Sequence, residues 1–281
     1  MATKGIAALS IIASMIVTTL AAADTIPRPG ENIDRTSRSV RVPAEMKVGH
    51  IDTTSGRVEL EAGAQARNID TSSGSVELGE RAVAEDIDTS SGSVRLRRGA
   101  RADGIDTSSG GVELADDSFS GGIDTGSGEV EAGDRVTIDG GIDTGSGDVR
   151  IGRESIVAGN IDTGSGDIEI RGARVNGKLD TGSGDIAIAD ATIDDDVITN
   201  SGEVRVEGRS VINGDLIVRK STCWGLCWNS DDDAKVTIEA GAEVRGKIRF
   251  EHGGTLRVHQ LAKIGPVEGV EPQRFGNAER E

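Results

Sequence analysis

The stretch IDTSSGSVEL at 69–78 sets apolar and polar residues in strict alternation on either side of a short turn. Ile69 and Thr71 would face a core with Asp70 outside; after Ser72-Ser73-Gly74, Val76 and Leu78 would face it with Glu77 outside. Copies begin at 123, 142, 161 and 179, where the turn reads TGSG. The Gly of the Ser-Gly step recurs at 56, 74, 92, 110, 128, 147, 166, 184 and 202, always 18 or 19 residues on. A fixed period of this length predicts a solenoid and outranks any local secondary-structure assignment. Each copy also holds a shorter apolar stretch, read at Ala64–Ala66, Val83, Phe119, Ile138, Ile156–Val157, Val175 and Ile193. Three short strands and three bends per period predict an all-β, single-stranded parallel β-helix. This would be a triangular β-solenoid with coils about 4.8 Å apart. No segment sustains a 3.6-residue period, and all five prolines, at 27, 29, 43, 266 and 272, avoid the repeats.

The pattern runs beyond Gly202 in altered form. Leu216–Val218 matches the first strand of a coil and Val236–Ile238 the second, with an insertion at 219–234 between them. KIRF at 247–250, TLRV at 255–258 and AKIG at 262–265 form a last coil. IDRTSRSVRV from Ile33, with Arg38 in the place of the turn Gly, is a degenerate opening copy. About twelve coils of 18–19 residues result over 33–267, a rod roughly 55 Å long. Residues 24–32 read as an N-terminal linker and 268–281, with Pro272, as a flexible tail.

The repeated IDTGSGDI and IDTGSGDV coils resemble a bacterial putative-adhesin β-solenoid family without an assigned activity. VTIEAGAEVRGKIRF with AKIGPV resembles the polymer-forming β-solenoids called bactofilins. The first resemblance implies a right-handed coil; the second makes self-association an expectation. Neither family brings a catalytic motif.

Composition adds an address. Met1–Lys4, the apolar run to Ala23 and the small residues Ala21, Ala22 and Ala23 form an export signal over 1–23, with cleavage expected near Ala23. The mature chain would then be periplasmic or secreted to the cell surface, without a transmembrane span. A formal net charge of −17 argues against nucleic acid as a partner, and with the envelope address the expected partner is an envelope protein or surface polymer.

Coils in register would bring Asp34, Asp52, Asp70, Asp88, Asp106, Asp124, Asp143, Asp162 and Asp180 into one column. Repulsion between neighbours needs an offset. The first reading is that each carboxylate accepts hydrogen bonds from its own T-x-S-G turn. A second is a calcium column, because Glu129, Asp148, Asp167 and Asp185 add carboxylates across the bend. The candidate ligands are then Asp124, Glu129, Asp143, Asp148, Asp162, Asp167, Asp180 and Asp185. Calcium is the one cofactor this pattern suggests. A third reading, a Thr column from Thr53 to Thr199 binding ice or a crystal surface, is opposed by an alternation that points those Thr inward. Gly126, Gly145, Gly164 and Gly182 mark a bend needing positive φ or close backbone approach.

The insertion STCWGLCWNSDDD at 221–233 holds both cysteines and both tryptophans. Cys223 and Cys227 are expected to pair in an exported protein, and Trp224 and Trp228 either pack the loop or anchor a partner. His50, His252 and His259 are scattered, with no Ser/Asp partners at catalytic spacing. The reading is a non-enzymatic cell-envelope rod, adhesin-like or scaffolding. The alternative is a metal-dependent carbohydrate-active or acyl-transferring β-helix.

Overall fold

β-Branched and aliphatic residues in alternation favour strands, and the computed structural model, which describes residues 27–220 and 234–276, contains no other regular element there. The first side of each coil carries the Ile-Asp-Thr strands, from Ile33–Arg35 and Ile51–Thr53 to Val267–Glu268. The second carries the Val-x-Leu strands, from Val40–Val42 to Gln273–Phe275, joined in one thirteen-stranded sheet. The third carries shorter pieces such as Thr137–Ile138 and Arg174–Val175. Every pairing between named strands is parallel and joins a coil to the next, so Ile51 lies on Ile69 and Val58 on Val76. No helix among the described residues is long and apolar enough to cross a membrane.

Among the described residues the stack has thirteen rungs where the repeat predicts twelve, a rod of about 58 Å. The extra rung lies in the stretch expected to be a tail. Val267 pairs with Ile248 and Arg257 with Gln273, while the Phe275 ring meets His259 edge-on at 5.3 Å and lies under the Arg257 guanidinium. Ladder hydrogen bonds need no particular side chain, so pairing outlasts the motif that announces it. Pro272 falls just outside the paired strand.

The core is a column of buried Ile, Val and Leu from the first two sides. The third side departs from expectation. Its inward residues in the early rungs are Ala82 and Ala84, Ala100 and Ala102, then Ser118 and Ser120, while Val83, Phe119 and Ile156 point outward. Choosing the largest apolar residue gave the wrong parity, because facing is fixed by the two-residue period and not by bulk. Outside, Phe119 is covered by the Arg101 guanidinium at 4.2 Å. From Ile138 onward the third side contributes β-branched residues to the core. At the same point the corner leading to the first side grows from Gly121-Gly122 to Asp139-Gly140-Gly141, which is the origin of the 19-residue spacing.

The turn Gly has a steric cause. A Cβ on Gly128 would sit far inside contact distance of the Gly110 carbonyl oxygen one rung below. Gly126, Gly145, Gly164 and Gly182 are also explained by close approach to the rung below, and none has positive φ. Left-handed backbone occurs instead at the corner between the second and third sides. One residue in each of the first eleven rungs adopts it there, including Glu45, Arg81, Asp117, Arg135 and Glu154 with φ between 56° and 62°.

Candidate functional site

The first corner is organised by threonine. In each of eight rungs the Thr hydroxyl oxygen accepts the N–H of the turn Gly, from Thr53 with Gly56 to Thr181 with Gly184, at 2.8–3.2 Å. Thr125, Thr163 and Thr181 also donate to the Gly carbonyl of the previous rung. These Thr are at most 7% exposed, so they present no surface to ice or a mineral. The expectation that the Asp of the motif accepts from the turn is therefore corrected: Thr fills that role, its hydroxyl lying inside the bend while Asp points out.

The aspartates do stand in one column, paired residue on residue from Asp34 to Asp180 and ending at Ile198. Neighbours are one rung, about 4.8 Å, apart. The ion pairs formed along the column come at its far end. The Lys178 ammonium donates to Asp162 at 2.6 Å and to Asp180 at 2.9 Å, and Arg219 approaches Asp180 at 3.4 Å. Among the described residues, no Lys or Arg pairs with Asp88, Asp106, Asp124 or Asp143. Partial burial, then the charges of Asp70, Asp106 and Asp86, push the Asp88 carboxyl above its ordinary value. Burial, then Asp106 and Asp143, do the same to Asp124. Burial opposes the charge of Lys178, but its hydrogen bonds to Asp162 and Asp180 prevail and raise its pKa.

Beside the column runs an open groove of about 580 Å³. One wall is formed by Asp88, Asp106, Asp124 and Asp143. The residue preceding each Ile forms the other: Gly104, Gly122 and Gly141, then Asn160, with Lys178 in the same place on the next rung. The glycines leave the groove open, and Lys178 fills the equivalent place with its own side chain.

The eight carboxylates proposed to hold calcium are not gathered around a point. Among the described residues, no group of three or more His, Cys, Asp or Glu is placed to hold a metal. Asp124, Asp143, Asp162 and Asp180 belong to the column on the first side; Glu129, Asp148, Asp167 and Asp185 form a second column at the next corner. The latter are committed elsewhere. Asp148 accepts the N–H of Asp167 at 3.0 Å, Asp167 that of Asp185 at 2.8 Å, and Asp185 that of Glu203 at 2.6 Å. Glu129 and Asp148 also pair with Arg150. These side chains tie one rung to the next where the strands leave an N–H unpaired.

The second side contrasts with the first. Its outward positions vary in sign along the stack, and ion pairs between rungs result: Arg41 with Glu59 at 3.0 Å and Arg95 with Glu113 at 2.6 Å. Burial would raise the Glu77 pKa, but Arg97 and Arg57 outweigh it and lower it.

His259 accepts the N–H of Leu261 at 3.1 Å and packs on Phe275, a structural role. The signal at 1–23, the cleavage site near Ala23, and Cys223, Cys227, Trp224 and Trp228 lie outside the described residues. Sequence reasoning missed Lys178. Its signal was a Lys at a repeat position that holds Gly in the rungs at 104, 122 and 141.

An all-β, parallel stack of thirteen rungs defines a β-solenoid. Residues 104–221, the rungs that hold most of the groove, match the family described as Toastrack DUF4097. That match supports a β-solenoid family without an assigned function. No curated protein and no solved structure matches the chain.

Proposed function

We propose that this chain is an exported, non-enzymatic rod of the bacterial cell envelope, an adhesin-like or scaffolding element that holds an envelope protein or surface polymer along its side. The observation that carries the reading is the separation of charge between two long faces of one continuous stack. The second side forms ion pairs from rung to rung, while the first presents unneutralised carboxylates from Asp88 to Asp143, one every 4.8 Å or so. A rigid scaffold that repeats one charged group at fixed spacing suits multivalent attachment. The export signal supports the envelope address, and the resemblance of the coils to putative adhesins supports surface attachment.

The test is capture from envelope extract by the full chain and by a variant carrying Asp88→Asn, Asp106→Asn, Asp124→Asn and Asp143→Asn. Partners enriched by the wild type and lost by the variant support the rod. Equal capture by both, or turnover of a polysaccharide or acyl donor that a His252 or His259 substitution abolishes, overturns it.

A further inference from the structure

The glycine-walled groove and Lys178 together carry an inference about ligand chemistry. In one part of the column the protein supplies a cation of its own. The Lys178 ammonium, on a four-carbon apolar stem, sits between the carboxylates of successive rungs, 2.6 Å from Asp162 and 2.9 Å from Asp180. Asp162 also lines the groove, so the tethered ammonium marks its end. The position of Lys178 is held by Asn160 one rung earlier and by Gly141, Gly122 and Gly104 in the rungs before that, and the corresponding places between Asp88, Asp106, Asp124 and Asp143 lie open. The fold thus repeats one cation seat along the column and fills it from within only at the far end.

We infer that the groove is a docking surface for a linear aliphatic oligoamine, whose ammonium groups take the seats between successive column carboxylates as Lys178 does. Three features select this chemistry. An ammonium has three donors and can bridge two carboxylates on parallel rungs. Amines separated by three or four methylenes are roughly 5–6 Å apart, close to the rung spacing of about 4.8 Å. The methylene stems would lie along the glycine wall, which presents no side chain to obstruct them. A hard divalent ion is disfavoured because it needs six or more oxygens around one point, and a row of carboxylates does not supply them. The inference stands whether or not the rod scaffolds an assembly.

The test titrates spermine into the full chain by calorimetry at low ionic strength, with calcium, magnesium and n-butylamine for comparison. Spermine should bind at least tenfold more tightly than any of the three. Gly122→Lys is the decisive variant. An added Cβ there meets nothing nearer than the Gly141 carbonyl oxygen at 3.9 Å, and the new ammonium would reach Asp106 and Asp124 as Lys178 reaches Asp162 and Asp180. It should weaken spermine binding at least tenfold with the strand content unchanged by circular dichroism. Asp106→Asn with Asp124→Asn should do the same, and decides the matter if Gly122→Lys does not fold. Glu113→Gln, on the second side, should leave binding unchanged. Spermine binding no tighter than that of magnesium or calcium, or equal binding by wild type and the Asp106/Asp124 variant, would overturn the inference. So would capture of a lysine-rich peptide by a protein that ignores spermine.

Discussion

Replacing Asp124 with Asn should stabilise the protein, although it removes a residue from the repeated motif. Asp124 lies in register between Asp106 and Asp143, and its carboxyl is pushed above the ordinary value by burial and by those two neighbours. Unit charges about 4.8 Å apart in a water-like dielectric repel by about 0.9 kcal/mol, so the two neighbours together set a ceiling of about 1.7 kcal/mol. Exposure and counterions reduce this, and a gain of about 1 kcal/mol is expected at low salt. In 1 M salt, where the screening length falls to about 3 Å, the gain should shrink to a few tenths. Urea unfolding of both proteins at 10 mM and 1 M sodium chloride reads the difference directly. Asp162→Asn is the internal control. It deprives Lys178 of one of its two carboxylates, so it should give no gain or a loss. A destabilised Asp124→Asn, or a gain that ignores salt, would refute the account of the column as unneutralised charge.

The pH dependence follows from the same groups. Asp88 and Asp124 have folded values above the reference of 3.8, so their stabilising contribution is complete below that value and is lost as pH rises through the folded pKa. Glu77 and Glu203 are depressed below 4.5 and behave oppositely, contributing above 4.5 and losing the contribution as pH falls through their folded values. On acidification from neutrality the urea midpoint should therefore rise before it falls, and Asp88→Asn with Asp124→Asn should remove the rise. Gly128→Ala forces a methyl against the Gly110 carbonyl and should cost about 3 kcal/mol, whereas Gly122→Ala, in open space, should be near neutral by thermal melting. Glu154→Gly relieves a left-handed residue with φ of 58° and should stabilise by about 0.5–1 kcal/mol in the same assay.

The period and the inward Ile-x-Thr and Val-x-Leu alternation were legible because each reports a constraint that recurs in every rung. The aspartate column followed from the period alone, since identical spacing puts identical positions in register. What was misread depended on choices within a rung. Val83 and Phe119 look like core residues by size, yet they flank Ala and Ser that the two-residue period turns inward. The turn acceptor was assigned to Asp because Asp is the common capping residue, while the geometry favours the Thr hydroxyl, which already points into the bend. Glu129, Asp148, Asp167 and Asp185 looked like ligands because sequence spacing cannot show that Asp148, Asp167 and Asp185 accept an N–H from the rung above. The last rung was missed because backbone pairing persists where the motif has gone.

An in-register solenoid multiplies whatever charge occupies a repeat position, so neutrality requires that the copies differ. On the second side they do differ, with Arg95 set between Glu77 and Glu113 and Arg150 between Glu131 and Glu169. On the first side they do not from Asp34 to Asp180, and over the stretch before Lys178 the free rod carries the repulsion as a cost. A cation seated in the column removes that cost, so its binding free energy and the stability of the fold are linked. Asp124→Asn and spermine should then fail to add. Each alone should raise the melting temperature, because each relieves the same pair of repulsions, and the variant should respond to spermine distinctly less than the wild type does. Independent effects would add in full, as changes at distant sites do. A melting shift with spermine of equal size in both proteins would mean that the oligoamine binds away from Asp124, and would separate the ligand from the column.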